Sequence, residues 1–245
     1  MSANTSRALA ASFAAHSAPL GGAVGFACAP VGGGPVVELG EWSGGVAWST
    51  SKVPLAVAAL RAAPSVTKSL VVAAITRSDN AAAEQLWSLL GTPAAAAGAV
   101  EAVLRDGGDT ATRVRSLRVR PEFTAFGQTE WSAARQARFT ARLPNIERGP
   151  DVLALMRALV PEQRWGLARL PGAAVKGGWG PDEEGTLVRQ LAVLPNGSGR
   201  TAVVVGAVPD SGIVDDGIVL LDRLAEWVGE HLAHLPTGDR RGESE

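Results

Sequence analysis

The spacing of apolar positions changes twice along the chain and divides it into three parts. Residues 21–29 and 35–40 are short apolar runs joined by the glycine-rich stretch VGGGP, which predicts two strands connected by a turn. From Ser49 onward apolar residues recur at helical spacing, and after Pro171 they return to runs of strand length. The residues that precede the first strand suit a short helix.

The middle part predicts a succession of helices whose ends are marked by Gly and Pro. At one of these ends Thr92 is placed to cap the helix, and Pro93 is placed to be its first residue. The predicted helices cover residues 49–63, 66–77, 80–90, 93–105, 129–143 and 150–160.

The last part predicts three strands, AAVKGGWG, TLVRQLAVLP and TAVVVGAVP, separated by the turn sequences PDEEG and NGSG. Residues 213–235 are amphipathic and predict a helix that covers the sheet, and the tail PTGDRRGESE is expected to be frayed. The predicted fold class is α+β, with an antiparallel sheet formed by both chain ends, flanking helices and an inserted all-α lobe. We expect residues 1–48 and 172–245 to form the sheet lobe and residues 49–171 the helical lobe of one compact unit. A site is expected in the cleft between the lobes.

Composition and charge exclude several classes of protein. The net charge is -1 and the Lys and Arg residues are scattered, so we expect no nucleic-acid partner. Cys28 is the only cysteine, which excludes an internal disulfide and a zinc site built on paired thiolates. No apolar run reaches the roughly 18 residues of a membrane span, so no membrane partner is expected. The start of the chain lacks a secretory signal pattern, which predicts a cytoplasmic protein, or an exported one if a leader was removed.

Ser49 and Lys52 lie three positions apart at the start of a predicted helix, so their side chains share one face. A serine hydroxyl becomes a good nucleophile when a base takes its proton, and a lysine can be that base when its pKa is lowered by burial. The apolar residues after Lys52 favour such burial. The spacing alone is a weak signal, because Ser65 and Lys68 repeat it. There we expect Ser65 to cap a helix and Lys68 to be exposed.

Two further motifs follow in a fixed order. The triplet Ser-Asp-Asn at 78–80 stands between two predicted helices, and the triplet Lys-Gly-Gly at 176–178 lies within a predicted strand. With the first motif, they resemble the SxxK, SDN and KTG motifs of class A β-lactamases and penicillin-binding proteins. The flanking sequences KVPLAVAAL and AAITRSDNAAAEQLWSLLG are similar to core helices of that family. The resemblance spans nearly the whole chain.

The resemblance implies a role for each matching side chain. Ser49 would attack a carbonyl group, and Lys52 would be its general base or a partner in proton relay. Ser78 would pass a proton to the leaving atom, and Lys176 would supply a positive field for that relay. Asn80 would hold an amide of the substrate by hydrogen bonding.

The resemblance also implies a binding surface on the strand that carries the third motif. The oxyanion hole would come from the backbone N–H groups of Ser49 and Trp179, and Gly177 and Gly178 would allow the substrate to approach closely. Gly177 stands where the family has Thr or Ser, which removes a hydroxyl that commonly binds a substrate carboxylate. Arg189 on the next strand is expected to compensate if its side chain points inward.

Two further departures concern the borders of the cleft. The spacing from Ser49 to Ser78 is shorter than is usual in the family, which predicts a wider mouth. Class A β-lactamases carry an ExxLN motif whose Glu activates the deacylating water, and here Arg120 takes the place of that Glu. Glu122, two positions later, and Glu130 are the candidate substitutes, although a solvated surface charge is the more ordinary interpretation of each.

We therefore expect an active-site serine hydrolase or acyltransferase that works through an acyl-enzyme on an amide or ester and lacks the usual deacylation Glu. One alternative is a true β-lactamase or a D-alanyl-D-alanine peptidase, and another is a penicillin-binding sensor with slow turnover. The expected substrate is a small molecule or a peptide, with no cofactor, no metal ion and a monomeric protein. Trp48 and Trp179 flank the predicted cleft, and we expect one of them to contact the substrate.

Overall fold

One antiparallel sheet is built from both ends of the chain. The computed structural model describes residues 2–183 and 185–238, and within them the strand order is β2-β1-β5-β4-β3, with every neighbouring pair antiparallel. Strand β1 lies beside β5, with Phe26 opposite Val205, so the first and last strands are central neighbours. The predicted sheet is confirmed. Its strands are β1 Gly22–Pro30, β2 Val37–Gly40, β3 Ala174–Asp182, β4 Gly185–Asn196 and β5 Gly199–Pro209.

The predicted helices are present with shifts at their ends. They are α1 Ala3–Ser17, α2 Lys52–Ala62, α3 Pro64–Thr76, α4 Asn80–Leu89, α5 Pro93–Asp106, α6 Ala133–Arg142, α7 Gly149–Arg157 and α8 Val214–His231. Short 3-10 turns cover Trp48–Ser51, Phe126–Gln128, Leu143–Asn145, Pro161–Gln163, Gly166–Arg169 and Leu232–His234. Thr92 caps α5 as predicted, because its side chain accepts a hydrogen bond from the N–H of Ala95.

Several helix starts differ from the prediction by one to four residues, and the starts of α6 and α3 differ for an identifiable reason. Helix α6 begins four residues later than expected, because Glu130 pairs with Val46 in a β-bridge and the Ser132 side chain then caps the helix. Helix α3 begins at Pro64, with no side-chain cap, so the prediction that Ser65 caps this helix is wrong. The proline supplies the preset φ of a first helical turn, and Ser65 lies exposed within that turn.

Helices cover both faces of the sheet. On the outer face α1 and α8 pack against it, and Trp227 meets Phe13 and Phe26 edge-on at centroid distances of 5.0 and 5.3 Å. On the inner face α6 lies against β1, β4 and β5 and separates them from the other helices. Residues 52–60 of α2 are all buried, so α2 is the central helix of the helical part. The division into two lobes at 48 and 171 stays a prediction.

The described part of the chain has two further features. No single helix there is both long and apolar enough to span a membrane. Helices α4 and α5 reach that length and apolarity only as a pair, and they meet at a bend of 99°. Gly238 forms a β-bridge with Arg200, so the tail follows the sheet at least that far. Most of the predicted frayed tail, residues 239–245, lies outside the described residues.

Candidate active site

Ser49 lies in a 3-10 turn that leads directly into the buried helix α2. The residue before it, Trp48, has φ of +48°, a conformation that bulky residues adopt only where the surrounding structure holds them. The Trp48 ring packs edge-on against Phe123, with centroids 4.9 Å apart. Among the described residues the Ser49 hydroxyl has no hydrogen-bond partner, and Ser49 borders a cleft of about 440 Å³. Its oxygen is therefore free to meet a substrate.

Strand β3 runs against the backbone of this turn. A Cβ atom added to Gly178 would lie 2.6 Å from the Ser49 nitrogen and 3.1 Å from the Thr50 nitrogen. Only glycine lets the strand lie this close. The oxyanion hole expected from the N–H groups of Ser49 and Trp179 stays a prediction, and this contact supplies the proximity that it needs.

Lys52 lies beneath the cleft and is almost completely buried. Its ammonium group donates to the carbonyl oxygen of Ser78 at 2.5 Å, to Asn80 Oδ1 at 2.7 Å and to Ser78 Oγ at 3.3 Å. Burial lowers the pKa of Lys52 from 10.5 to about 8, while the negative charge of Asp79 opposes that shift. A large fraction of Lys52 is therefore neutral in mildly alkaline solution.

Ser78 stands at the corner between α3 and α4, with φ of +59°. The Asp79 side chain fixes this corner, since it caps α4 by accepting a hydrogen bond from the N–H of Ala82 at 2.9 Å. From β3 the fully buried ammonium group of Lys176 donates to Ser78 Oγ at 2.9 Å and to the Gly177 carbonyl at 2.6 Å. Burial lowers the pKa of Lys176 well below its usual value, and the nearby charge of Lys52 lowers it further.

The structure thus brings the three motifs together. The Ser78 hydroxyl lies within hydrogen-bond distance of both lysines. Two ammonium groups this close disfavour each other's charge, so the pair favours a state in which one amine is neutral and can accept a proton. The predicted residues that border the cleft are Ser49, Ser78, Asn80, Gly177, Gly178, Trp179 and Glu122, and Lys52 and Lys176 are buried beneath it.

Arg189 does not reach the cleft, so the expectation that it replaces the missing hydroxyl is wrong. It pairs with Gly178 across the sheet and is completely buried on the inner face. Its guanidinium donates to the carbonyl groups of Gly45, Val46 and Trp131 at 2.8 to 3.0 Å and to Gln136 Oε1 at 3.0 Å. The carbonyl oxygens of Val46 and Trp131 and the side-chain oxygen of Gln136 have Arg189 as their hydrogen-bond donor, which holds the guanidinium there.

The candidate deacylation residues separate in space. Glu122 borders the cleft with Ser49 and is exposed. Arg120 turns away from it and donates to the Pro181 carbonyl at 3.0 Å. Glu130 lines a neighbouring hollow with Arg120 and Asp182, and its pKa is raised by burial and by the charge of Asp182. The structure therefore does not place Glu130 beside Ser49, because its bridge to Val46 holds it on the far side of Trp48.

Two residues that shape the site, Gln128 and Trp165, were not predicted from the sequence. The buried side chain of Gln128 accepts from the N–H of Arg120 at 2.7 Å and donates to the carbonyl groups of Arg120 and Phe123, which holds the loop that carries Glu122. The Trp165 ring occupies the space beside Gly177, where a Cβ atom would lie 2.7 Å from the indole. A single Gln in an irregular segment gives no sequence signal, and Trp165 was indistinguishable from a core tryptophan.

Other sequence candidates lie elsewhere. Ser65 and Lys68 are exposed on α3 and do not border the cleft. The described residues contain no group of three or more His, Cys, Asp or Glu side chains that could hold a metal ion.

Comparison with known proteins places the fold. No family model matches the chain, and no curated protein sequence matches it. Solved structures, by contrast, do match the chain. An ancestral class A β-lactamase is 23% identical over 91% of this chain and 99% of its own, with a TM-score of 0.66. A β-lactamase from Streptosporangium roseum is 19% identical over 94% and 100%, with a TM-score of 0.69, and one from Xanthomonas campestris is 21% identical over 92% and 98%, with 0.67. The chain therefore has the α+β fold of class A β-lactamases.

Proposed function

We propose that this β-lactamase-like chain is a serine hydrolase or acyltransferase whose nucleophile is Ser49. The observation that carries the proposal is the Ser78 hydroxyl, which lies 2.9 Å from the Lys176 ammonium group and 3.3 Å from that of Lys52 at the border of the Ser49 cleft. Buried amines with lowered pKa values at the border of a cleft that also contains the free hydroxyl of Ser49 fit the requirements of nucleophilic catalysis.

In the proposed acylation step, the neutral Lys52 amine takes the proton from Ser49 Oγ while that oxygen forms a bond to the carbonyl carbon of an ester or amide. The carbonyl oxygen gains the negative charge, which the N–H groups of Ser49 and Trp179 stabilise. The bond to the leaving atom then breaks, and that atom receives a proton through the Ser78 hydroxyl. Water or an amine releases the acyl group from Ser49.

Release of the acyl group is the slower step in this proposal. Arg120 stands where the resembling family has its deacylation Glu, and its guanidinium bonds to Pro181 rather than entering the cleft. Within the cleft lining Glu84 is paired with Arg118 at 2.8 Å, which leaves Glu122 as the carboxylate available to activate water. We assign that role to Glu122, and we assign as substrate an ester or amide that is not primarily a β-lactam.

The position of Arg120 also favours a second candidate function, a penicillin-binding sensor that acylates once and releases slowly. A chromogenic cephalosporin separates the two functions and the β-lactamase alternative. Rapid multiple turnover would show a true β-lactamase, whereas a burst equal to the enzyme concentration would show the sensor. An inert cephalosporin with turnover of simple 4-nitrophenyl esters is the result expected from the main proposal.

Labelling tests the nucleophile. An activated ester should add one acyl group to the wild type, seen as a mass increase of the intact protein. Ser49→Ala should abolish it. Ser65→Ala is the matched control, because Ser65 occupies the second SxxK spacing on an exposed helix surface, and it should label like the wild type. Full labelling of Ser49→Ala would disprove the assignment.

A further inference from the structure

Beside β3 the cleft is lined by two tryptophan side chains that the acyl-transfer chemistry does not use. Trp165 and Trp179 both border the cleft with Ser49. Trp179 is 54% exposed, which is unusual for so large an apolar side chain. Among the residues that the structure describes, neither ring is packed against another aromatic ring. Their surfaces are therefore available to a ligand.

The position of Trp165 depends on a specific set of backbone contacts. The buried side chain of Gln190 donates to the Trp165 carbonyl at 2.8 Å and accepts from the N–H of Leu167 at 2.7 Å. Between them Gly166 has φ of +55° and leaves no room for a Cβ atom, which would lie 2.3 Å from Gln190 Oε1. Asp222 accepts from the N–H of Gly166 at 2.6 Å. The backbone that carries the indole is thus held in place by three polar contacts, one of them buried.

The Trp165 indole occupies the space that a side chain at position 177 of β3 would otherwise fill. Gln190 pairs with Gly177 across the sheet, so the contacts that hold Trp165 lie directly behind the strand position that lacks a side chain. The ring of Trp165 lies over Gly177, and Trp179 is two positions further along the same strand, on the same face. The hydroxyl expected from the resembling family is absent here, and an apolar, flat surface stands in its place.

We infer that Trp165 and Trp179 form an aromatic wall that binds a planar aromatic group of the acyl donor, and that Trp165 determines this specificity. The inference rests on the proposed function of Ser49 and names the substrate class: an ester or amide with an aromatic ring beside the scissile bond. Offset or edge-on contact of such a ring with an indole is worth more than the burial of an equal aliphatic area.

Boronic acids test the inference, because each adds reversibly to a nucleophilic serine oxygen through its boron atom and presents one substituent to the cleft. Phenylboronic acid and cyclohexylboronic acid are alike in size and differ in planarity. Against hydrolysis of 4-nitrophenyl acetate, the phenyl compound should inhibit the wild type more strongly by about threefold to tenfold, the gain expected of an aromatic pair.

The variants locate the preference. In Trp165→Ala and Trp165→Leu the ratio of the two inhibition constants should fall to about one, because the flat surface is lost. Trp165→Phe should keep most of it, and Val219→Ala is the control, since Val219 is exposed on α8 and outside the cleft. A ratio near one in the wild type, or an unchanged ratio in Trp165→Ala, overturns the inference. Trp165→Leu and Trp165→Phe retain an apolar side chain against the outer core, so a folding defect in Trp165→Ala does not decide the result.

Failure of the proposed function gives a different result. In that case neither boronic acid inhibits and no label depends on Ser49. The wall is then tested alone in Ser49→Ala by binding of benzamide and cyclohexanecarboxamide, followed by tryptophan fluorescence. Preferential binding of benzamide that is lost on Trp165→Leu supports the wall, and equal binding of the two amides overturns it.

Discussion

The ammonium group of Lys176 donates a hydrogen bond of 2.9 Å to the hydroxyl of Ser78, a residue 98 positions earlier in the chain. This bond joins the edge strand of the sheet to the corner between α3 and α4 at the border of the cleft. Proton transfer in the proposed reaction passes through the same hydroxyl.

Removing the Ser78 hydroxyl should lower the rate of acylation more than the affinity for the substrate. Ser78→Ala leaves two buried lysines without the oxygen that they share, and positioned proton transfer contributes about 10²–10⁴-fold to a rate. We expect the burst rate with 4-nitrophenyl acetate, followed by stopped flow, to fall within that range. Ser88→Ala, an exposed serine of α4, should behave as the wild type. An unchanged burst rate in Ser78→Ala would remove Ser78 from the relay.

The lowered pKa of Lys52 predicts the pH dependence of acylation. Lys52 can accept a proton only when it is neutral, so kcat/KM should rise with pH and level off above its pKa of about 8. The measurement is kcat/KM for one ester between about pH 6 and about pH 10, a range that brackets this pKa. A profile that is flat across this range would contradict Lys52 as the base.

Asp79 should tune this profile. Its negative charge raises the pKa of Lys52 against the larger effect of burial, so Asp79→Asn should move the rising limb to lower pH. Asn is also a good N-cap, which preserves the hydrogen bond to the N–H of Ala82 and hence the corner at Ser78. A limb that moves to higher pH, or does not move, would show that this charge does not act on the titrating group.

The contact between Gly178 and the Ser49 backbone predicts a position that tolerates no side chain. In Gly178→Ala the new methyl group would meet backbone nitrogen atoms at 2.6 and 3.1 Å, so β3 must move away from the nucleophile. Because the proposed oxyanion hole depends on this contact, acylation should fall by about 10²–10³-fold. Gly98→Ala is the matched control: apart from its chain neighbours and the backbone of its own helix, nothing lies within 4 Å of the added Cβ, and in a helix Ala is more stable than Gly by about 0.5–1 kcal/mol. Equal acylation by both variants would contradict the expectation.

Arg189 should matter for stability rather than for binding. Arg189→Leu leaves the carbonyl groups of Val46 and Trp131 and the side-chain oxygen of Gln136 without their donor, and each unsatisfied group costs about 1–3 kcal/mol. We expect the free energy of unfolding, measured by urea denaturation, to fall by about 3 kcal/mol or more. Arg189→Lys should recover only part of this loss, because one ammonium group cannot reproduce the planar fork. If Arg189→Leu weakened substrate binding more than it lowered the free energy of unfolding, the result would show that Arg189 acts in the cleft.

The sequence predicted most of the fold because its periodicity was strong. Helices and strands came from apolar spacing, and their order along the chain placed the sheet at both ends. The helix start at 129 was wrong for a tertiary reason: the backbone of Glu130 is taken up by a bridge to Val46, which no local pattern reveals.

Site residues could be predicted where a sequence motif identifies them. They could not be predicted where strand register or tertiary packing determines the position of a side chain. Ser49, Ser78 and Lys176 came from ordered motifs, and the structure brings them together. Arg189 was misplaced because the pairing of β3 with β4 decides which face it occupies, and Gly178 opposite it directs it to the inner core. Trp165 was missed because its place over Gly177 depends on a distant glutamine.

The residues of the candidate site lie on segments that are distant in sequence. These segments meet only when the sheet, which is built from both ends of the chain, has assembled with the inserted helices. Lys176 reaches Ser78 across 98 positions, and Gly178 of the edge strand β3 lies against the turn that carries Ser49. The fraction of molecules that a covalent probe labels at Ser49 should therefore equal the folded fraction. During unfolding this labelling should be lost together with the whole sheet, in one cooperative transition.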